Sequence, residues 1–190
     1  MNRLLFVDAE TGGLDSRTHS LLSLGLAVWD QEQGILFQKE IFQKLDKYVL
    51  TEEALQINHF NVSDYRQSDI MTASEIHKEF MDISKEFFHA GMLPLAGHNV
   101  QFDSSFLREM YLSAGLPYET TFSHRMVDIF SILQFLIHLK LIPDFVNNST
   151  KAFAYFNIEV KGRHTALGDV VATANLYSEM LKTIKGHIGI

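Results

Sequence analysis

The run Leu4-Leu5-Phe6-Val7-Asp8-Ala9-Glu10-Thr11-Gly12-Gly13-Leu14 sets two carboxylates, two positions apart, at the end of an apolar segment. The four leading apolar residues predict a buried strand. Strand side chains alternate between faces, so Asp8 and Glu10 are expected on the same side. Two carboxylates so placed repel, and each holds its proton more tightly unless a cation neutralises them. Gly12-Gly13 then offers a backbone that a ligand can approach closely. No Gly-Lys-Ser/Thr follows, which excludes a phosphate loop of the P-loop type. An ordinary acidic strand end before a glycine turn explains the same residues about equally well, so the rest of the chain has to decide.

Working outward, strands are expected at Leu4 to Ala9, Leu21 to Trp29 and Gly34 to Phe42, the last two separated by a short polar turn, Asp30 to Gln33. They predict an antiparallel meander. Thr51 followed by Glu52 and Glu53 marks a helix start with an N-cap and an acidic first turn. Ile76, Phe80, Ile83 and Phe87 share one face of a predicted helix over Thr72 to His89. A buried strand, Met92 to Ala96, leads to a helix over Gln101 to Ala114 that Gly115 and Pro117 close. Helices are also expected at Asp128 to Lys140, Ser149 to Phe156 and Ala166 to Ile184, with Phe130, Leu133, Leu136 and Ile137 read as core. A meander followed by alternating helices and a strand predicts an α/β sheet covered by helices. No repeat or Pro/Gly/Ser-rich linker divides the 190 residues, so one domain over 1–190 is expected.

Two further segments carry carboxylates. Gly97-His98-Asn99-Val100-Gln101-Phe102-Asp103 places Asn99 in a turn and Asp103 near the first turn of a helix, where a carboxylate also suits the helix dipole. Gly162-Arg163-His164-Thr165-Ala166-Leu167-Gly168-Asp169 opens the last helix, with His164 in a glycine-containing loop and Asp169 about one turn in. A lone histidine is usually a surface or packed residue. Four carboxylates and one imidazole on a strand and two helix starts are, however, the parts of a two-metal hydrolytic site, with oxygen ligands for hard cations and a base that titrates near neutrality. Asp128 in Arg125-Met126-Val127-Asp128 is a tempting fifth carboxylate, but its place at a strand-to-helix junction reads better as an N-cap.

Composition bounds the alternatives. With no cysteine there is no disulfide framework, thiolate nucleophile or cysteine-ligated zinc, and a reducing cytoplasm is compatible but not demanded. Asp8 and Glu10 interrupt the longest early apolar run, so neither a signal peptide nor a membrane span is expected. The net charge of −7 argues against gripping nucleic acid by bulk charge. That charge is uneven, for residues 1–123 carry 9 basic and 18 acidic side chains and residues 124–190 carry 7 and 5.

Asp8-Ala9-Glu10-Thr11-Gly12-Gly13-Leu14, Gly97-His98-Asn99 with Phe102-Asp103, and His164-Thr165-Ala166-Leu167-Gly168-Asp169, taken in that order across nearly the whole chain, resemble the DEDDh exonucleases. These are 3′-to-5′ nucleases of the ribonuclease H-like fold. The middle motif is most similar to the ribonuclease T, oligoribonuclease and polymerase proofreading-subunit groups. The resemblance implies a mixed sheet, antiparallel meander plus parallel strands, flanked by helices. It implies that Asp8, Glu10 and Asp169 bind one Mg²⁺ or Mn²⁺, that Asp8 bridges to a second, and that Asp103 acts partly through water. It makes His164 the base for hydrolysis that releases nucleoside 5′-monophosphates. Thr11 and Gly12 fall where the family holds the terminal 3′ hydroxyl, Leu14 where it places an apolar wedge, and Asn99 and Phe102 are further substrate contacts. For Leu14 and Phe102, plain core packing is the alternative.

The expected partner is the 3′ end of single-stranded RNA or DNA, with no membrane. A homodimer is implied by the resemblance, although no exposed apolar stripe in the sequence demands one. DNA proofreading beside a polymerase is a rival within the same chemistry, and an inactive nucleic-acid-binding domain is a rival of another class. Two bound Mg²⁺ would take −7 to −3, which suits capture of a few terminal nucleotides better than a long electrostatic footprint.

Overall fold

The computed structural model describes residues 3–58, 70–162 and 165–189. Its centre is β1 (Arg3–Thr11), flanked by β2 (Leu21–Asp30), which pairs with β3 (Gly34–Gln43). Both pairings are antiparallel, as the short polar turn between β2 and β3 requires. Then follow α1 (Glu52–Asn58), β4 (Ile70–Met71), α2 (Ala73–Phe87), β5 (Leu95–Gly97), α3 (Val100–Ser113) and α4 (Tyr118–Thr121). The chain ends with β6 (Val127–Asp128), α5 (Ile129–His138), α6 (Ser149–Tyr155) and α7 (Ala166–Ile188). The six strands form one mixed sheet in the order β4-β3-β2-β1-β5-β6, in which β4, β5 and β6 join by parallel pairing.

Alternation along β1 divides the core. Leu5 and Val7 pack on one face with Ile76, Phe80 and Ile83 of α2 and Phe106, Leu107 and Met110 of α3. Phe6 faces the other layer with Ala27, Trp29, Ala96 and the buried sides of α5, α6 and α7. There Tyr177 stacks obliquely on Phe6 and edge-on to Trp29, while the indole N–H of Trp29 donates to Ser178 Oγ at 2.8 Å. Asp8 and Glu10 continue the Phe6 face, so they emerge on the side that α7 covers.

Helix starts follow local chemistry. Thr72 accepts from Glu75 N–H, and Glu75 reaches back to Thr72 N–H, a complete capping box. Asp128 caps α5 by accepting from Phe130 and Ser131 N–H, as its junction position predicts. The two-residue strand β4 and the single turn α4 have no signature in the sequence, whereas β6 lies where Asp128 is read as a strand-to-helix junction. Phe130 is a correction. Helical spacing groups it with Leu133, Leu136 and Ile137, which are buried, but Phe130 is 37% exposed and its ring stands edge-on to His98. Phe135 of α5 and its C-cap residue Leu139 are also exposed. Among the described residues, no helix is long and apolar enough to cross a membrane.

Candidate active site

The parallel strands all end at one pole of the sheet, and the three motifs meet there. Asp8 and Glu10 leave β1 just before a register shift between Glu10 and Thr11. Asp169 comes from the first turn of α7, one residue after Gly168. One carboxylate oxygen from each of Asp8, Glu10 and Asp169 lies within 4.8 Å of the others. All three side chains are half-buried. Desolvated carboxylates held this close favour a cation among them, and a set made only of oxygens fits a hard divalent ion.

Two glycines bring Asp169 into place. Gly25 of β2 sits directly opposite Asp8. A Cβ at Gly25 would lie 2.0 Å from the Ala166 carbonyl oxygen, so only glycine lets the start of α7 rest on the sheet beside Asp8. A Cβ at Gly168 would lie 2.3 Å from the carbonyl oxygens of both Lys161 and Gly162, so the loop before α7 packs against its first turn. Thr165 caps the helix by accepting from Gly168 N–H at 3.1 Å, and its hydroxyl donates to Gly162 O at 2.7 Å. An isolated Gly inside the apolar strand Leu21 to Trp29 was the available sign of a close backbone approach.

Asp103 belongs to α3 but its carboxylate serves β1. Leu5 N–H donates to Pro94 O on the β5 side, so alternate amides of β1 face β5. β5 stops at Gly97, and the Ala9 amide, beyond its reach, donates instead to Asp103 Oδ1 at 2.8 Å. Asp103 is therefore more than a helix-dipole residue. It is only 5% exposed. Burial pushes its pKa up to about 8, against the pull of the Ala9 amide, and the nearby Glu10 charge adds to the rise. A bound cation would reverse that balance.

Around this group the structure assigns places to the remaining residues. Thr11 is buried and its hydroxyl donates to Gly13 O at 2.8 Å. Gly12 owes its lack of a side chain to the protein rather than to a ligand, since a Cβ there would fall 2.1 Å from Val49 O. Its N–H donates to Ser20 O and its carbonyl accepts from Thr51 N–H. Leu14 is 88% exposed, which removes core packing as an explanation for it. It rides on a turn fixed by Asp15, which accepts from Arg17 N–H and the Thr18 hydroxyl. Asn99 is exposed at the head of α3. Phe102 is half-buried against Phe106, so packing describes it in large part. His164, with Arg163, lies outside the described residues.

Residues 5–177 match the RNase_T family, described as exonuclease. An oligoribonuclease of Aliivibrio fischeri is 23% identical over 193 residues, covering 95% of this chain and 96% of its own. An oligoribonuclease of Hydrogenovibrio crunogenus is 23% identical over 174 residues, covering 89% and 86%. E. coli exonuclease I in complex with a dT13 oligonucleotide superposes with a TM-score of 0.76 at 18% identity. That match covers 100% of this chain but 43% of exonuclease I, so this chain corresponds to less than half of that protein. The ribonuclease H-like exonuclease fold is shared, with the mixed six-stranded sheet between two helical layers.

Proposed function

The chain belongs to the RNase_T exonuclease family, as a 3′-to-5′ exonuclease of the DEDDh type, and from that premise we propose that it trims short single-stranded oligonucleotides, RNA foremost. The convergence of Asp8, Glu10 and Asp169 within 4.8 Å carries this reading. Those three, with Asp103, would hold two divalent cations, Mg²⁺ or in its place Mn²⁺. When bound, such a pair stabilises the attacking and leaving oxygens of phosphodiester hydrolysis.

The protein's own residues supply the rest. The Leu14 side chain, standing out from its braced turn, gives the terminal bases an apolar surface that tolerates any sequence. Gly12 can offer the 3′ hydroxyl only the second lone pair of its carbonyl, because its N–H is engaged with Ser20. Thr11, Asn99 and the exposed part of Phe102 complete the proposed contacts. His164 takes a proton from the attacking water, the role that the His164-to-Asp169 motif implies. The preference for RNA rests on two oligoribonucleases whose length this chain nearly spans.

Incubation of purified protein with 5′-labelled oligoribonucleotides and oligodeoxynucleotides of two to twenty nucleotides, with Mg²⁺ or chelator, is the test. A Mg²⁺-dependent one-nucleotide ladder, fastest on RNA of a few nucleotides and absent in Asp8→Ala, is expected. Faster digestion of long DNA would move the assignment to a proofreading-type activity. Failure to digest any strand would leave an inactive binding domain.

A further inference from the structure

We infer that Asp128 is a positioning residue for the exonuclease site, acting by bridging the start of α5 to the turn that launches α3. The inference rests on the exonuclease reading above. α3 begins from Asn99, whose φ of 62° is left-handed and whose side chain makes no capping bond. Asparagine tolerates that conformation better than most residues, and the Phe102 N–H donates to Asn99 O at 2.9 Å, but no local side chain caps the turn. The hold comes from 29 residues away. Asp128 Oδ1 accepts from Asn99 N–H at 2.8 Å and from Phe130 N–H at 3.3 Å, while Oδ2 accepts from Ser131 N–H and the Ser131 hydroxyl.

One carboxylate thus caps α5 with both oxygens and, through Oδ1, also pins the start of α3. Partial burial opposes its charge, but the Ser131 hydroxyl and the three amides prevail and hold its pKa below the usual carboxylate value. α3 is then fixed at two points, at Asn99 by Asp128 and at Asp103 by the Ala9 amide of β1. These two points are the exposed Asn99 and the fourth carboxylate of the proposed site. Phe130, next to the cap, sets its ring against His98 and closes the same junction. N-capping alone would require none of the contact to Asn99.

Two substitutions separate bridge from cap. Asp128→Ser keeps an N-cap as good as aspartate, but its single short oxygen cannot serve α5 and also reach Asn99. Asp128→Asn keeps an oxygen for the Asn99 and Phe130 amides. Residues that orient metal-site groups from behind typically change activity by roughly 10- to 100-fold. With a 5′-labelled pentaribonucleotide and saturating Mg²⁺, kcat/KM is expected to fall about tenfold or more in Asp128→Ser. Asp128→Asn should stay within about threefold of wild type, because it preserves the bridge. Amide exchange at Asn99 should accelerate in the serine variant while Ser131 stays protected. A serine variant at the wild-type rate overturns the inference, as does an asparagine variant as impaired as the serine one. A wild type inert on every strand would instead sink the exonuclease reading, and the inference with it.

Discussion

Two helix starts, that of α3 behind Asn99 and that of α7 behind Thr165, each carry one carboxylate of the proposed site, Asp103 and Asp169, yet they are built on different plans. The α7 junction is held locally, since Thr165 caps its own helix and bonds Gly162 three residues back. The α3 junction has no side-chain cap and depends on Asp128 from another element. Local chemistry leaves a trace in sequence, and borrowed chemistry does not. His164-Thr165-Ala166-Leu167-Gly168-Asp169 could therefore be recognised as a helix start bearing a site residue. The dependence of Asn99 on Asp128 was hidden, because an N-cap explains Asp128 without it.

The largest effect should come from removing either junction's carboxylate. Asp103→Asn and Asp169→Asn should each lower the rate of oligonucleotide digestion by roughly 10³-fold. Near-normal rates for one of them would mean that only the other junction serves the chemistry. Next comes the seat of α7. Gly25→Ala drives a methyl group into the Ala166 carbonyl, and overpacking of this kind costs about 1–3 kcal/mol. Both melting temperature and activity should drop, and a crystal structure should show the first turn of α7 moved away from Asp8.

A smaller change tests whether the α7 junction is as self-contained as it looks. Thr165→Ala removes the cap and should cost about 1 kcal/mol, read as a melting-temperature shift of a few degrees. Because Gly25 and Gly168 still seat the helix, activity should fall less than in Asp128→Ser. The reverse order would erase the contrast between the junctions.

The smallest effect is a titration. In the folded, metal-free chain the Asp103 carboxyl is raised to about 8, against 3.8 for an ordinary aspartate. The folded state therefore holds this proton more tightly than the unfolded chain. The stability it contributes is complete below pH 3.8 and is lost as pH rises through about 8. In the presence of chelator, the melting temperature of wild type should decline across that window more steeply than that of Asp103→Asn, which can still accept from Ala9 N–H. Parallel slopes would place the charge balance elsewhere.

Much of the frame was legible because long, strongly patterned elements announce themselves. The meander, α2 and α7 follow from alternation, helical spacing and caps. β4 was not, since two residues have no period and owe their pairing to the strand beside them. Phe130 misled because periodicity reports which residues share a face but not where the covering layer ends. At the site, Asp8 and Glu10 stood out as carboxylates ending an apolar strand, and Asp169 as the carboxylate one turn into the last helix, with the order of the three motifs joining them. The glycines that let those charges meet were not, because the backbone atoms that fill their Cβ positions come from distant parts of the chain.

Calorimetric titration of chelator-stripped protein with Mn²⁺ addresses the convergence of the three motifs most directly. Wild type should show saturable binding of at least one ion per chain, and folded Asp8→Ala should show none. Absence of saturable binding in wild type, or binding that survives Asp8→Ala unchanged, would contradict a metal site built from these carboxylates.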